Sequence, residues 1–362
     1  MPSQILHTLF GEDVLSRIIG KLAPRNRIIP ADPTIDNENI FGTSFILGCQ
    51  GPDIFYHNRR TRPVGLEYGS LLHRRGYGTF CAHLLKTGLS GITIDTSREI
   101  KISSLGLYSA GFLTHAFLDR AAHPYIVFKS TPVPPVSSIN GGSAFFHLFL
   151  ERILDTLMLK KLRGEEVSSW KQEEYLVKAC ENPVSGLFEL IERSLVLAFP
   201  ERAGKDEKLA LRIKNTFYDS ARFYRMTDPE QTTMKNPRYM YTLAEDFIPY
   251  LFPEKFSSSD PNFLNLEHNV WTYPRDGYAE DRRSFTEIYD SALEEAVNSI
   301  FPLFDVFLKT GVISFEAAAE AIGNGGLSIT DKSGKPSSPT VTDPFPLGKV
   351  LIEQAVMRGL YG

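Results

Sequence analysis

The chain has 362 residues, of which 42% are hydrophobic and 23% charged, with a formal net charge of −4. That balance excludes a disordered chain and a protein whose work is to coat nucleic acid with a broad basic face, and the length suffices for one large domain or a domain with an extension. The three cysteines, Cys49, Cys81 and Cys180, are odd in number and form no CxxC pair, which argues against a disulfide framework or a thiolate metal site and for reduced core thiols.

The chain starts MPSQILHTLFGEDVL, without a basic segment, a long apolar stretch or a small-residue cleavage site, and this predicts a cytoplasmic protein. No apolar run approaches the roughly eighteen residues of a membrane span. Ile5, Leu6, Leu9, Val14, Leu15, Ile18 and Ile19 form one apolar stripe of a first helix, with Gly20 and Pro24 marking its end. Residues 24–62 are rich in Pro, Asn, Asp and Gly and read as irregular structure, broken by an apolar segment at Phe45–Leu47. Strand-like alternation is confined to Ile92–Ile94.

Residues 105–122 form a helix that is apolar nearly all round, which predicts burial in the middle of a bundle. Pro124 disfavours a helical His123, so the helix is expected to end there. A loop containing Pro132, Pro134 and Pro135 leads to Ser143, the expected N-cap of a helix reaching about Leu162 and stopped by Gly164. Amphipathic helices follow near 170–182, 184–198, 205–225, 240–251 and 284–309. Residues 252–283 form a long loop whose Phe, Leu and Trp content predicts order. Residues 323–347, rich in Gly, Pro, Ser and Thr, are expected to be mobile before a last helix at 348–359. The elements add up to an all-α, multihelical fold, with a helical domain over 1–250 and a loop-and-helix C-terminal extension over 251–362 packed on it.

Two polar pairs interrupt the apolar helices. His115 and Asp119 stand four residues apart, and so do His147 and Glu151, which places each pair on one helix face about 6 Å apart at Cβ. A carboxylate buried in an apolar helix is costly unless it is paired, hydrogen-bonded or bound to a metal. A core His–Asp hydrogen bond accounts for one such pair; two pairs on separate helices supply the mixed nitrogen and oxygen ligands that suit zinc. His123 lies too far along the helix from His115 to share its ion, and is expected to join His147 and Glu151. His7, Asp53 in the GPD segment and His73 in GSLLH are further candidates, individually explained as a helix polar-face residue, a turn former and a surface residue.

In order and context the set H…GPD…GSLLH…AGFLTHAFLDRAAHP…HLFLE resembles the zinc-dependent phospholipase C family, and in metal arrangement it is similar to the fungal single-strand nucleases. The resemblance covers His7 to Glu151. It implies a multihelical fold with two or three Zn²⁺ ions at the bottom of a cleft: one held by Asp53, His73, His115 and Asp119, a second by Asp119 and His7, a third by His123, His147 and Glu151. The family completes the second ion with the amine and carbonyl of an N-terminal tryptophan. This chain has none there, and removal of Met1 would free the Pro2 amine to take that place.

The activity so implied is a metal-dependent hydrolysis of phosphate esters by a metal-activated water, as in a phospholipase C-like phosphodiesterase, with Asp53 orienting that water or taking its proton. Arg59, Arg60 and Arg62 are candidates for gathering the phosphate. The substrate is a phosphate ester, phospholipids included; single-strand nuclease or nucleotide phosphodiesterase action is the alternative, with no stable nucleic-acid partner. From another class comes a noncatalytic scaffold that keeps zinc for stability.

Overall fold

The computed structural model describes residues 4–22, 27–30, 42–89, 93–94, 99–132, 142–232, 249–253, 255–256, 260–275 and 277–358. Six helices carry or support the candidate residues: α1 (Gln4–Leu22), α2 (Gly42–Cys49), α3 (Leu66–Arg74), α4 (Tyr77–Gly88), α5 (Ser104–Ser130) and α6 (Gly142–Arg163). Helices Leu187–Ala198, Leu209–Met226, Phe285–Thr310, Phe315–Ile322 and Leu347–Met357 surround them. The fold is all-α and multihelical. Its described strands are short: Arg27–Pro30 runs parallel to Glu99–Ile102, which Thr93–Ile94 joins antiparallel, and Trp271–Thr272 pairs with Glu280–Asp281.

Helix α5 is the axis of the molecule. Ser103 caps it by accepting a hydrogen bond from Gly106 N at 3.1 Å, and its residues are buried over almost the whole length. It does not stop at His123 but continues through Pro124 to Ser130. An internal proline costs ~3 kcal/mol through its missing N–H and its ring. The next turn buries Ile126, Val127 and Phe128, each worth about 1.5–3 kcal/mol, so tertiary packing outweighs the local preference. Tyr125 adds a hydrogen bond to Phe263 O at 2.9 Å.

Within the 24–62 region, the described residues 42–57 are more regular than the composition suggests. Phe45–Leu47 lies within α2, whose Gly48 faces the Tyr108 backbone while Gly111 of α5 faces Phe45 O and Cys49 N, so the two helices meet backbone to backbone. A side chain at either glycine would force them apart. A 3₁₀ turn over Gly51–His57 then delivers Asp53 to α5. Helix α6 already includes Gly142, one residue ahead of the expected cap at Ser143. The expected helix at 240–251 falls mostly outside the described residues.

One core runs from Leu6 to Val350, with Phe285, Ile288, Leu293 and Ile300 of the C-terminal part packed into it together with α1 and α5 residues. The 323–347 stretch is docked rather than mobile. Arg120 of α5 donates to Ile322 O and to Gly323 O, Gly78 N reaches Gly323 O at 2.9 Å, and Leu327 N reaches His73 O at 2.9 Å. These contacts satisfy backbone groups at the adjoining ends of α3 and α4, which a free loop would leave to water. Cys49, Cys81 and Cys180 are buried free thiols. No helix among the described residues is long and apolar enough to cross a membrane.

Candidate metal centre

Five elements converge on one buried cluster of histidines and carboxylates. Helix α1 brings His7, the 3₁₀ turn Asp53, α3 His73, α5 His115, Asp119 and His123, and α6 His147 and Glu151. His115 is fully buried, and His7, Asp53, Asp119, His123 and Glu151 are nearly so. Donor atoms gather in three groups that could hold metal ions: His7, His115 and Asp119; Asp53, His73 and His115; and His123, His147 and Glu151. Pro2 lies outside the described residues.

Around Asp53 and Asp119 the spacing fits a small ion. His73 Nε2 lies 2.9 Å from Asp53 Oδ1 and 3.6 Å from Asp119 Oδ2, while His115 Nε2 lies 3.2 Å from Asp119 Oδ2 and 4.0 Å from Asp53 Oδ2. Ligands bound tetrahedrally at zinc bond lengths would sit about 3.3 Å from one another. The four atoms Asp53 Oδ1, His73 Nε2, His115 Nε2 and Asp119 Oδ2 are all buried, and apart from their contacts with one another they have no hydrogen-bond partner among the described residues. Buried polar atoms with no partner outside their own cluster are rare and each costs stability, so four within reach of one another are suited to share a cation.

The imidazoles are oriented for ligation from behind. His73 Nδ1 lies 2.8 Å from Gly69 O, His115 Nδ1 3.3 Å from Cys49 O, and His123 Nδ1 3.0 Å from Asp119 O. A proton on each Nδ1, donated to the carbonyl, leaves the Nε2 lone pair free for a metal. Gly51 explains part of the GPD segment: it has a φ of +55°, and a Cβ there would overlap the His115 ring. Asp219 secures the chain beyond Asp53 by accepting from Asn58 Nδ2 at 2.8 Å and from the N–H groups of Arg60 and Thr61, each at 3.0 Å.

Asp119 is the hub. Its Oδ1 lies 3.2 Å from His7 Nε2 and 3.4 Å from His123 Nδ1, and its Oδ2 faces His115. In the outer group, Glu151 Oε1 lies 3.1 Å from His147 Nε2 and 3.7 Å from His123 Nε2. His123 reaches this group although the helix does not end at it, because α6 passes beside the second turn after His115.

Without a bound cation the cluster polarises itself. Burial opposes charge on Asp53 and Asp119, yet the histidines around them hold both carboxyls far below the usual carboxylate range. Burial likewise opposes protonation of His73, but Asp119 and Asp53 raise its pKa to about 9, and His7 is raised for the same reason by Asp119. Burial lowers His115, helped by His7, and it lowers His123. Ionised, buried carboxylates here require positive charge, from protons or from metal ions.

A cleft of about 270 Å³ opens over the cluster, lined by His73, His123 and His147 together with Tyr56, Arg74 and the Gly326–Ser337 segment. Arg59 and Arg60 face a neighbouring pocket of about 200 Å³ that shares Tyr56 with the cleft, and Arg62 lines neither. The sequence reading passed over Arg74; its position directly after His73 at the end of α3 was the available signal. Comparisons with protein-family models, curated proteins and solved structures found no match to this chain.

Proposed function

We propose that the chain is a zinc-dependent hydrolase of phosphate esters, akin to a phospholipase C-like phosphodiesterase. The observation that carries this reading is the set of four buried donor atoms on Asp53, His73, His115 and Asp119, which meet only one another, beneath an open cleft. Mixed imidazole and carboxylate ligands suit zinc better than magnesium or calcium, which favour oxygen alone. Three divalent ions against the carboxylates of Asp53, Asp119 and Glu151 would leave an excess of about three positive charges, which favours a phosphate guest.

Zinc, when bound, supplies Lewis acidity toward phosphoryl oxygens and acidifies a water. The chain's own residues do the rest. Asp119, in contact with three histidines, fixes their relative positions. Asp53, held ionised and nearly buried, is a weak base and serves to orient the attacking water at the inner cluster. Arg74 at the cleft wall is placed to pair with a non-bridging phosphate oxygen.

Metal analysis of the purified protein, followed by assays on phosphocholine lipids, a nitrophenyl phosphodiester and single-stranded DNA, tests the proposal. Turnover of at least one substrate that chelation abolishes and zinc restores is the expected result. Stoichiometric zinc without turnover on any of them would overturn it and favour a zinc-stabilised scaffold.

A further inference from the structure

Next to the metal cleft lies a larger groove of about 1070 Å³, formed by α3, the Phe199–Arg202 turn and the Asn324–Pro336 segment. Ser70, Arg74 and Pro336 line both cavities. A ligand seated at the donor cluster therefore meets the groove across one ridge, with Arg74 on the crossing.

The groove is one-sided in charge. Of its acids, Glu67 is paired with Arg202 and Glu201 with Lys205. Arg74 and Arg75 are exposed and form no ion pair among the described residues. Lys335 adds a third cation; the carboxylate of Asp331, in the same turn, is engaged by the N–H groups of Ser333 and Lys335. Leu71, Tyr68 and Phe199 supply an apolar wall beside these charges. Guanidinium forks with an apolar flank recognise a phosphomonoester carried on an organic ring or chain.

The two compartments differ about fourfold in volume, 270 against 1070 Å³. We propose that the groove binds the larger arm of an asymmetric phosphodiester, and that this arm carries a second phosphate, while the small arm stays in the metal cleft. The inference rests on the hydrolase reading and narrows its substrate class to diesters bearing an additional phosphomonoester, from either a nucleotide or a lipid headgroup.

Calorimetric titration of the zinc-loaded protein reads the groove without turnover. Thymidine 3′,5′-bisphosphate is compared with thymidine 5′-monophosphate, and inositol 1,4-bisphosphate with inositol 1-phosphate. The bisphosphate of at least one pair should bind about tenfold more tightly, as expected of a charge-assisted arginine contact, and the pair that shows the preference identifies the source. In an R75E/K335E variant, whose changes lie on exposed side chains, the preference should vanish while the melting temperature stays close to the parent's. Equal binding within both pairs overturns the inference, as does a preference that survives in the variant. Equal binding by protein that hydrolyses a nitrophenyl phosphodiester defeats the groove alone. A preference in protein that hydrolyses nothing defeats the hydrolase reading and keeps the groove as an anion site.

Discussion

The inner donors, around Asp53, His73, His115 and Asp119, and the outer ones, His123, His147 and Glu151, both use an i, i+4 pair of histidine and carboxylate. The fold treats them differently. The inner imidazoles of His73 and His115 are backed by the carbonyls of Gly69 and Cys49, and the four inner donor atoms meet only one another. In the outer group His123 is backed in the same way by Asp119 O, but His147 has no backing carbonyl among the described residues; its side chain is 16% exposed and its Nε2 contacts Glu151 at 3.1 Å. Spacing along a helix thus nominates ligands, while backing and burial decide how firmly they are held before an ion arrives.

The largest expected effect separates the two groups. Asp119→Ala removes the carboxylate that faces His7, His115 and His123, and should empty the inner sites and lower turnover about a thousandfold, a few kcal/mol of lost metal-borne stabilisation. His147→Ala should release a single ion, leave the inner ones in place and cost about 10–100-fold. Elemental analysis of both variants, beside their rates, checks the contrast. Equal metal loss in the two would collapse the inner and outer groups into one cooperative site.

A smaller effect tests whether backing matters. Gly51→Ala adds one methyl group where the backbone has a positive φ and the His115 ring lies against the glycine. No ligand is removed. The variant should bind its inner zinc about 10–100-fold more weakly, the usual cost of disturbing a ligand's support, with the outer ion unaffected. Unchanged competition against a zinc chelator would show that His115 is not held by its packing.

Much of this was legible in the sequence, for identifiable reasons. His115, Asp119, His147 and Glu151 are polar residues in apolar helices, and burial makes such residues conspicuous. The all-α fold followed from periodicity that the apolar stripe of α1 and the amphipathic helices Leu187–Ala198, Leu209–Met226 and Phe285–Thr310 display, together with the long apolar run of α5. The continuation of α5 past His123 was hidden because a proline's local cost is visible in the sequence and the packing of Ile126 and Phe128 that exceeds it is not. The docking of residues 323–347 was hidden in the same way: Gly and Pro content signals a loop, but the open backbone groups at His73 and Gly78 that receive it lie some 250 residues earlier in the chain. Arg74 belongs to the cleft because that segment forms its opposite wall.

The smallest effect sets inner against outer through protons. His73, raised from 6.5 to about 9 in the metal-free fold, stabilises that fold fully below pH 6.5 and progressively less as pH rises through about 9. Asp53, Asp119 and Glu151, all lowered, contribute above the ordinary carboxylate range and lose that contribution only on acidification, so they do not offset the loss. Chelator-treated protein should therefore melt a few degrees lower at pH 9 than at pH 6.5. Zinc reverses the trend at the inner site, because His73 and His7, both raised, must surrender their protons to bind it, and affinity there should climb across the same interval. His123 is lowered by burial and already neutral, so it gives the outer ion no such dependence. Proton release measured calorimetrically in buffers of different ionisation enthalpy separates the two: release on filling the inner site near pH 7.5, and none from His123 on filling the outer one. A melting temperature of the metal-free protein that holds or rises between pH 6.5 and 9 would mean that the carboxylates of Asp53 and Asp119 are not compensated by His73, and that the inner cluster needs its cation even to stay folded.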